Sequence, residues 1–290
     1  MLSQNLPDFD TLWDYSQPDH TEIRFREILL QIPEDDPALL ELLTQIARAQ
    51  GLQRKFDKAH QTLDQVERRL GGVASRPQIR FLLERGRVLN SSGDPEQARP
   101  FFELALDLAT QLNEDYYAVD ATHMLAIVAP PGQSLNLNLR AIQLAESSTD
   151  ERARNWLCSL YNNIGWSYHD MGEYVSALDA FEKAEACRRA KGSVKETRIA
   201  VWCVARALRS LNRVEEALSK QMMLKAEFES AGESDGFVFE EIAECLLALK
   251  RLEEARPYFS KAHEMLVKDA FLVEREPERL ARLKKLGKIS

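Results

Sequence analysis

Glycine is sparse, 12 in 290 residues, and none opens a Gly-rich run followed by Lys-Ser or Lys-Thr. A phosphate-cradling loop is therefore not expected. GxSxG and HExxH are absent as well, so neither a nucleophile elbow nor a zinc-protease helix is encoded. The four cysteines, Cys158, Cys187, Cys203 and Cys245, form no CxxC pair, and the five histidines, His20, His60, His123, His169 and His263, are scattered. Metal ligation needs such side chains to converge, so the expectation is small buried cysteines, surface histidines and no cofactor. No apolar run approaches the ~18 residues of a membrane span. The opening MLSQNLPDFD lacks a basic stretch followed by an apolar one, so no signal peptide is expected. Reduced thiols and a cytoplasmic location follow as expectations. A surplus of basic charge is also missing. The net charge of −8 argues against nucleic acid or an anionic membrane as the main partner.

What is present is a folded composition, 44% hydrophobic and 29% charged, and a repeat. Length alone suggests two globular domains at ~150 residues each, although a solenoid escapes that division. Ala98-Arg-Pro-Phe-Phe102 recurs as Ala255-Arg-Pro-Tyr-Phe259. Aligning on the alanine gives six anchors, Ala59, Ala98, Asn138, Ala177, Ala217 and Ala255, whose separations are 39, 40, 39, 40 and 38 residues. Four residues after the anchors stand Leu63, Phe102, Ile142, Phe181, Gln221 and Phe259. Twelve before them stand Ala47, Gly86, Ala126, Gly165, Ala205 and Ala243, all small. A small residue at a fixed place marks where two helices cross closely.

The fourth copy reads Tyr161-x2-Ile164-Gly165-x2-Tyr168, then Gly172, Ala177 and Phe181. It resembles the tetratricopeptide repeat, a helix–turn–helix unit. The resemblance covers about residues 37–270, and the period is longer than the family's usual 34. Extended repeats of this kind occur in kinesin light chains, LGN-type polarity adaptors and some bacterial regulators. The opening of the first unit, TQIARAQGLQRKFDKAH, is similar to bacterial tetratricopeptide proteins without an assigned function. The resemblance implies an all-α fold, a right-handed superhelical α-solenoid of about six repeats. Residues 1–36 are expected as an N-terminal cap, 37–270 as a single solenoid and 271–290 as a C-terminal capping helix.

Local chemistry agrees with the helix–turn–helix reading. Gly93 is placed to end one helix in the left-handed conformation, and Asp94 to cap the next, with Pro95 at its first position and Gln97 completing a capping box. Pro100 and Pro257 fall inside helices, where a bend is expected. Ala129-Pro-Pro-Gly132 replaces a tight turn in the third unit. A capping helix is expected to enter at Asp19 with Glu22, and to turn Ile23, Phe25, Ile28 and Leu29 inward. The tail is expected to bury Leu280, Leu283 and Leu286 while presenting Arg279, Arg282, Lys284 and Lys285 to water.

In arrays of this family the first helices line a groove. Setting the small residue as position eight, the groove stripe runs through positions two, five, nine and twelve. It comprises Glu41, Thr44, Arg48 and Gly51; Arg80, Leu83, Arg87 and Asn90; Asp120, His123, Ile127 and Pro130; Ser159, Asn162, Trp166 and His169; Ile199, Trp202, Arg206 and Arg209; Phe237, Glu240, Glu244 and Leu247. Arginine recurs here and lysine is missing. Guanidinium suits bidentate recognition of carboxylates, and tryptophan offers a large contact with few rotors to freeze. Asn162-Asn163 resembles the paired asparagines of kinesin-light-chain and LGN-type repeats, which bond the backbone of an extended peptide. No unit carries the Lys and Asn combination of the chaperone-tail clamp.

The expected site is therefore Arg87, Asn90, His123, Asn162, Trp166, His169, Trp202, Arg206 and Arg209, in a monomeric, non-catalytic adaptor. Its partner is expected to be an extended, acidic or carboxylate-bearing segment of another protein. The alternative roles for these residues are structural: tryptophans packed between helices, and arginines paired with the next helix. The alternative function is a regulatory sensor responsive to a peptide or metabolite.

Overall fold

The computed structural model describes residues 8–288 and is all-helical, with no strand among the described residues. The first seven residues of the expected N-terminal cap, and the last two of the tail, lie outside that range. The chain divides into two compact units, Met1–Leu157 and Cys158–Ser290.

In the first unit, a short 3-10 turn at Phe9–Leu12 precedes α1 (Pro18–Leu29). Three helical hairpins follow: α2 (Pro37–Leu52) with α3 (Phe56–Glu67), α4 (Arg76–Ser91) with α5 (Pro95–Gln111), and α6 (Asp115–Val128) with α7 (Pro131–Ser147). The single turn α8 (Glu151–Arg154) closes the unit. In the second unit the hairpins are α9 (Leu157–Asp170) with α10 (Tyr174–Ala190), α11 (Val194–Ser210) with α12 (Val214–Ser230), and α13 (Gly236–Ala248) with α14 (Leu252–Leu266). Short α15 (Ala270–Arg275) and α16 (Pro277–Leu286) end the chain, and α16 packs on α14.

The repeat positions are the core positions. Every anchor is buried, including Asn138, and so are Leu63, Phe102, Ile142, Phe181, Gln221 and Phe259 four residues on. The small residues let these side chains in. A Cβ added to Gly86 would stand 2.5 Å from the Phe102 ring, and one added to Gly165 would stand 2.5 Å from the Phe181 ring. In these two hairpins the second helix thus drives its ring against bare backbone of the first. Burying such a ring contributes ~2–3 kcal/mol.

The hairpin turns repeat too. Five residues before the anchor, the chain is left-handed at Arg54, Gly93, Gly172, Asn212 and Lys250. The backbone N–H two residues after this turn's entry then reaches back to the preceding helix, as when Asp94 donates to the carbonyl of Leu89 at 2.9 Å. Asp94 caps α5 by accepting from the Gln97 amide at 3.1 Å, and the Gln97 side chain bonds the same carboxylate. The third hairpin lacks the left-handed residue, since only Ala129 and Pro130 separate α6 from α7. Both interior prolines are accommodated, α5 running through Pro100 and α14 through Pro257.

Several expectations are corrected. Helix α1 starts at Pro18 rather than being capped by Asp19. Glu22 instead accepts from Gln53 at 2.8 Å and Gln50 at 3.2 Å, fastening α1 to α2. Phe25 is buried as expected, but Ile23 is exposed. In the tail, Leu280 and Leu283 are buried and Arg282, Lys284 and Lys285 are exposed as expected, Arg282 also pairing with Glu244, but Arg279 is half-buried and pairs with Glu240 at 2.6 Å. The expectation of reduced thiols fails for one pair: Cys158 and Cys187 form a disulfide between α9 and α10, with Cα atoms 5.3 Å apart. Spacing in the sequence could not show it, because the two cysteines meet only when the hairpin folds. Cys203 and Cys245 are buried and free.

Candidate peptide-binding faces

In unit 1 the stripe predicted on α2, α4 and α6 is laced with ion pairs between successive first helices. Arg80 reaches back to Glu41 at 3.1 Å. Arg48 reaches forward to Glu84 at 3.5 Å. Arg87 donates both to Glu84 and to Asp120. Burial opposes the charge on Arg87, but Asp120 and Glu84 outweigh it and its pKa is raised. Arg80 and Arg87 are therefore engaged by the chain's own carboxylates. Asn90 is half-buried one turn beyond Arg87. His123 is half-buried, with its ring 5.2 Å from that of Trp156 and its pKa lowered by burial. Thr44 and Leu83, also on the stripe, are fully within the core.

This face is also covered by its own chain. Asp10 receives a bidentate pair from Arg80, at 2.8 and 3.1 Å. Trp13 donates from Nε1 to Gln45 at 3.0 Å and stacks on Tyr15 with ring centres 4.9 Å apart. The Arg48 guanidinium lies 5.6 Å from the Trp13 ring centre and 5.4 Å from that of Tyr15.

In unit 2 the stripe brings Trp166, His169, Trp202, Arg206 and Arg209 together. The Trp166 ring stands 5.4 Å from His169, 6.1 Å from Trp202 and 5.2 Å from Phe181. Trp202 donates from Nε1 to the Phe237 carbonyl at 3.1 Å, which ties α11 to the start of α13. Asn162 is half-buried and accepts from the Cys203 thiol at 3.5 Å. Burial pushes that thiol up to about 12, which leaves it protonated and able to donate.

The two arginines differ. Arg209 holds buried Glu241 with both arms, the second at 3.0 Å. Arg206 comes no nearer than 4.0 Å to the same carboxylate, and donates to the Ser210 hydroxyl at 2.6 Å. Burial, then the neighbouring Arg209 charge, lowers the Arg206 pKa, whereas at Arg209 burial is outweighed by the Glu241 bond and charge and the pKa is raised. Ser210 donates onward to the Arg206 carbonyl at 3.2 Å, so the 2.9 Å contact from His169 Nε2 to Ser210 has the imidazole as donor. Burial and then Arg206 lower the His169 pKa, consistent with a neutral ring protonated on Nε2. One carboxylate thus serves two guanidiniums, leaving positive charge at Arg206.

Beside Trp202 opens a cavity of about 740 Å³ between α11, α12 and α13. Ile199, Trp202, Leu224, Phe228, Phe237 and Val238 give it an apolar wall, with Lys195, Arg198, Glu233 and Asp235 around them. Arg198 and Glu233 pair at 2.7 Å, and the Arg198 guanidinium lies 4.4 Å from the Phe228 ring centre. Ile199 remains 52% exposed at its mouth, so the wall is open to an incoming side chain.

Two family models, each described as tetratricopeptide repeat, match residues 44–113 and 157–191. The chain carries tetratricopeptide repeats. Solved structures built on the same fold include the apo form of RapI, at 14% identity over 94% of this chain and 76% of that one, with a TM-score of 0.73. A signal transduction ATPase with numerous domains and a tetratricopeptide repeat sensor, from Pyrococcus horikoshii, matches at 13% identity over 94% of this chain and 41% of that one, with a TM-score of 0.70. A Rap protein complexed with Competence and Sporulation Factor matches at 14% identity over 97% and 82%, with a TM-score of 0.53. No curated protein matches the sequence.

The tetratricopeptide stripe located Ile199, Trp202 and Phe237 but not the cavity they share with Leu224 and Phe228. Those two belong to a second helix, whose inward side reads as core in any repeat. The signal available was Ile199 and Phe237 themselves, apolar at stripe position two, where the other units carry Glu41, Arg80, Asp120 and Ser159. Among the described residues no helix is long and apolar enough to cross a membrane, and no group of three or more His, Cys, Asp or Glu is placed to hold a metal ion.

Proposed function

We propose that the protein is a non-catalytic interaction adaptor, and that its second unit takes an extended segment of another protein. An apolar side chain of that segment enters the Trp202 cavity, and a carboxylate lies against Arg206. The observation that carries this is the pairing of an open apolar cavity with a guanidinium whose nearest carboxylate is already held by Arg209. Trp202 and Arg206 are four residues apart on α11, ~6 Å along the axis. An extended peptide advances ~3.3 Å per residue, so the apolar residue and the acid stand about two positions apart. Trp166 and His169 flank the acid, and Asn162 is the residue placed for a backbone contact. In unit 1, Arg87, Asn90 and His123 contribute to a face whose arginines are internally paired, so the acidic preference is assigned to Arg206. The Rap protein with its bound factor supports the reading that this architecture serves recognition.

Selection from a random peptide library against the full chain tests the proposal. The expected consensus is an apolar residue with Asp or Glu two or three positions away. Binding should be lost in Trp202→Ala, and the acidic preference should be lost in Arg206→Gln. A consensus without acid, or one bound equally by Trp202→Ala, overturns it. A second reading, a ligand-responsive sensor, has the sensor named in the Pyrococcus protein as its support. A change in small-angle scattering dimensions on binding the selected peptide would favour it over a rigid adaptor.

A further inference from the structure

The segment Asp8-Phe-Asp-Thr-Leu-Trp-Asp-Tyr15 is acidic and aromatic, and it lies across the first-helix face of unit 1 on residues that a bound peptide would use. Asp10 takes the Arg80 guanidinium end-on, with bonds of 2.8 and 3.1 Å, and Phe9 beside it is buried. Trp13 reaches Gln45 on α2, and Arg48 lies against both Trp13 and Tyr15. Arg48 and Arg80 sit at inward positions nine and two of successive repeats, so the segment reads two repeats at once, as an extended ligand would.

Its hold is incomplete. Tyr15 is 59% exposed. A cavity of about 420 Å³ lies beside Asp8 and Phe9, lined also by Glu41, Arg76, Arg80 and Arg152. Arg152 pairs with the α8 cap Asp150 at 3.1 Å, lies 4.9 Å from the Tyr116 ring centre, and is half-exposed. Phe9–Leu12 is a single 3-10 turn. Charge-assisted bonds and aromatic contacts over ten residues, next to unfilled polar space, describe an occupant that can be exchanged.

We propose that this face is a second binding surface, closed by residues 8–17 of its own chain. Its partner is a segment of another protein with the same chemistry: an aromatic ring between two carboxylates, with a tryptophan three residues further on. The partner's carboxylate replaces Asp10 on Arg80, and its tryptophan replaces Trp13 against Arg48. Because the chain's own segment is tethered, it competes at an effective concentration in the millimolar range. Partner affinity is reduced by the fraction of time the face is open. The proposal does not depend on the Trp202 cavity of unit 2.

A fluorescent peptide with the sequence of residues 8–17 is the probe, with a scrambled peptide as control, and binding is read by anisotropy on the full chain. In the variant Asp10→Asn/Trp13→Ala, whose own segment is weakened, the dissociation constant should fall at least tenfold relative to wild type. Adding Arg48→Ala to that variant should abolish the gain, whereas adding Trp202→Ala should leave it intact. Equal affinity for wild type and the weakened variant, or no binding to either, overturns the proposal. If the weakened variant melts differently from wild type, hydrogen exchange on wild type decides instead. Saturating peptide should deprotect the amides of residues 9–15, and unchanged protection overturns the proposal. A wild-type dimer that grows with concentration and is dissolved by the peptide would make a second copy the occupant, and would equally overturn it.

Discussion

Replacing Gly86 by alanine tests the packing rule on which the repeats are built. A methyl there would meet three atoms of the Phe102 ring at 2.5, 2.7 and 2.9 Å, against an ordinary contact of ~3.5–4.0 Å. The ring must withdraw by about 1 Å to restore that separation. Phe102 has no exposed surface, so it cannot swing into solvent, and the strain must go into the α4–α5 hairpin. Overpacking of this kind costs about 1–3 kcal/mol. Alanine in place of glycine within a helix returns ~1 kcal/mol; because three ring atoms clash and the buried ring has nowhere to go, the cost is taken at the upper end, ~2–3 kcal/mol, and the net loss is ~1–2 kcal/mol. The sixth repeat bounds the cost, because Ala243 there faces Phe259 at the same two positions with both fully buried. A hairpin can therefore open enough to hold the pair, and total unfolding is not expected. In a thermal melt followed by circular dichroism, Gly86→Ala should lower the unit 1 transition by ~3–6 °C. Phe102→Leu in the same chain recreates the Ala47 and Leu63 pair of the first repeat. It should be less damaging on Gly86→Ala than on wild type, with a coupling of ~1 kcal/mol. An unchanged or higher melting temperature for Gly86→Ala alone refutes the reasoning.

Lys250→Gly and Arg54→Gly relieve side chains held at φ of 62° and 60°. Each should stabilise by ~0.5–1 kcal/mol in chemical denaturation, and a loss of stability would contradict the strain. Reducing the Cys158–Cys187 disulfide, which closes 29 residues, should cost unit 2 ~3–4 kcal/mol in the chain-entropy account. Equal denaturation midpoints with and without reductant would refute it. His123 and His169 both have pKa values lowered by burial. The unfolded chain protonates them near 6.5, above the folded values, so it binds more protons through that window. Stability should be intact above ~6.5 and decline as pH falls from there toward the folded values. His123→Gln should flatten the decline in the unit 1 melt, and an unchanged slope would discard the assignment.

The hairpins were legible because burial repeats with the chain. The anchors, the buried side chain four residues on and the small residue twelve before are all local consequences of one helix crossing another, so one sequence carries them six times. Gly93 and Asp94 were legible for a similar reason, since few residues suit their backbone places. Arg54, Asn212 and Lys250 occupy the same left-handed turn without glycine and left no such mark. The face was harder to read. Its residues were placed on the right stripe, but whether Arg80 or Arg87 faces solvent depends on Asp10 and Asp120, which lie 70 and 33 residues away. The Trp202 cavity and the disulfide likewise depend on what a second helix brings from outside the local pattern.

The carboxylates at Glu41, Glu84, Asp120 and Glu241 each belong to one helix and are held by an arginine of the repeat beside it. A stack of repeats behaves as a one-dimensional lattice, in which stability divides between each unit and its contact with the next. Shared ions shift weight from the unit to the contact. Within each unit, a repeat that melts alone strands a half-buried charge on its neighbour, a large penalty. Interior repeats should therefore melt together with their neighbours, with fraying confined to the ends. A lesion in one repeat should be read in its neighbour's hydrogen exchange before it appears in its own side-chain contacts.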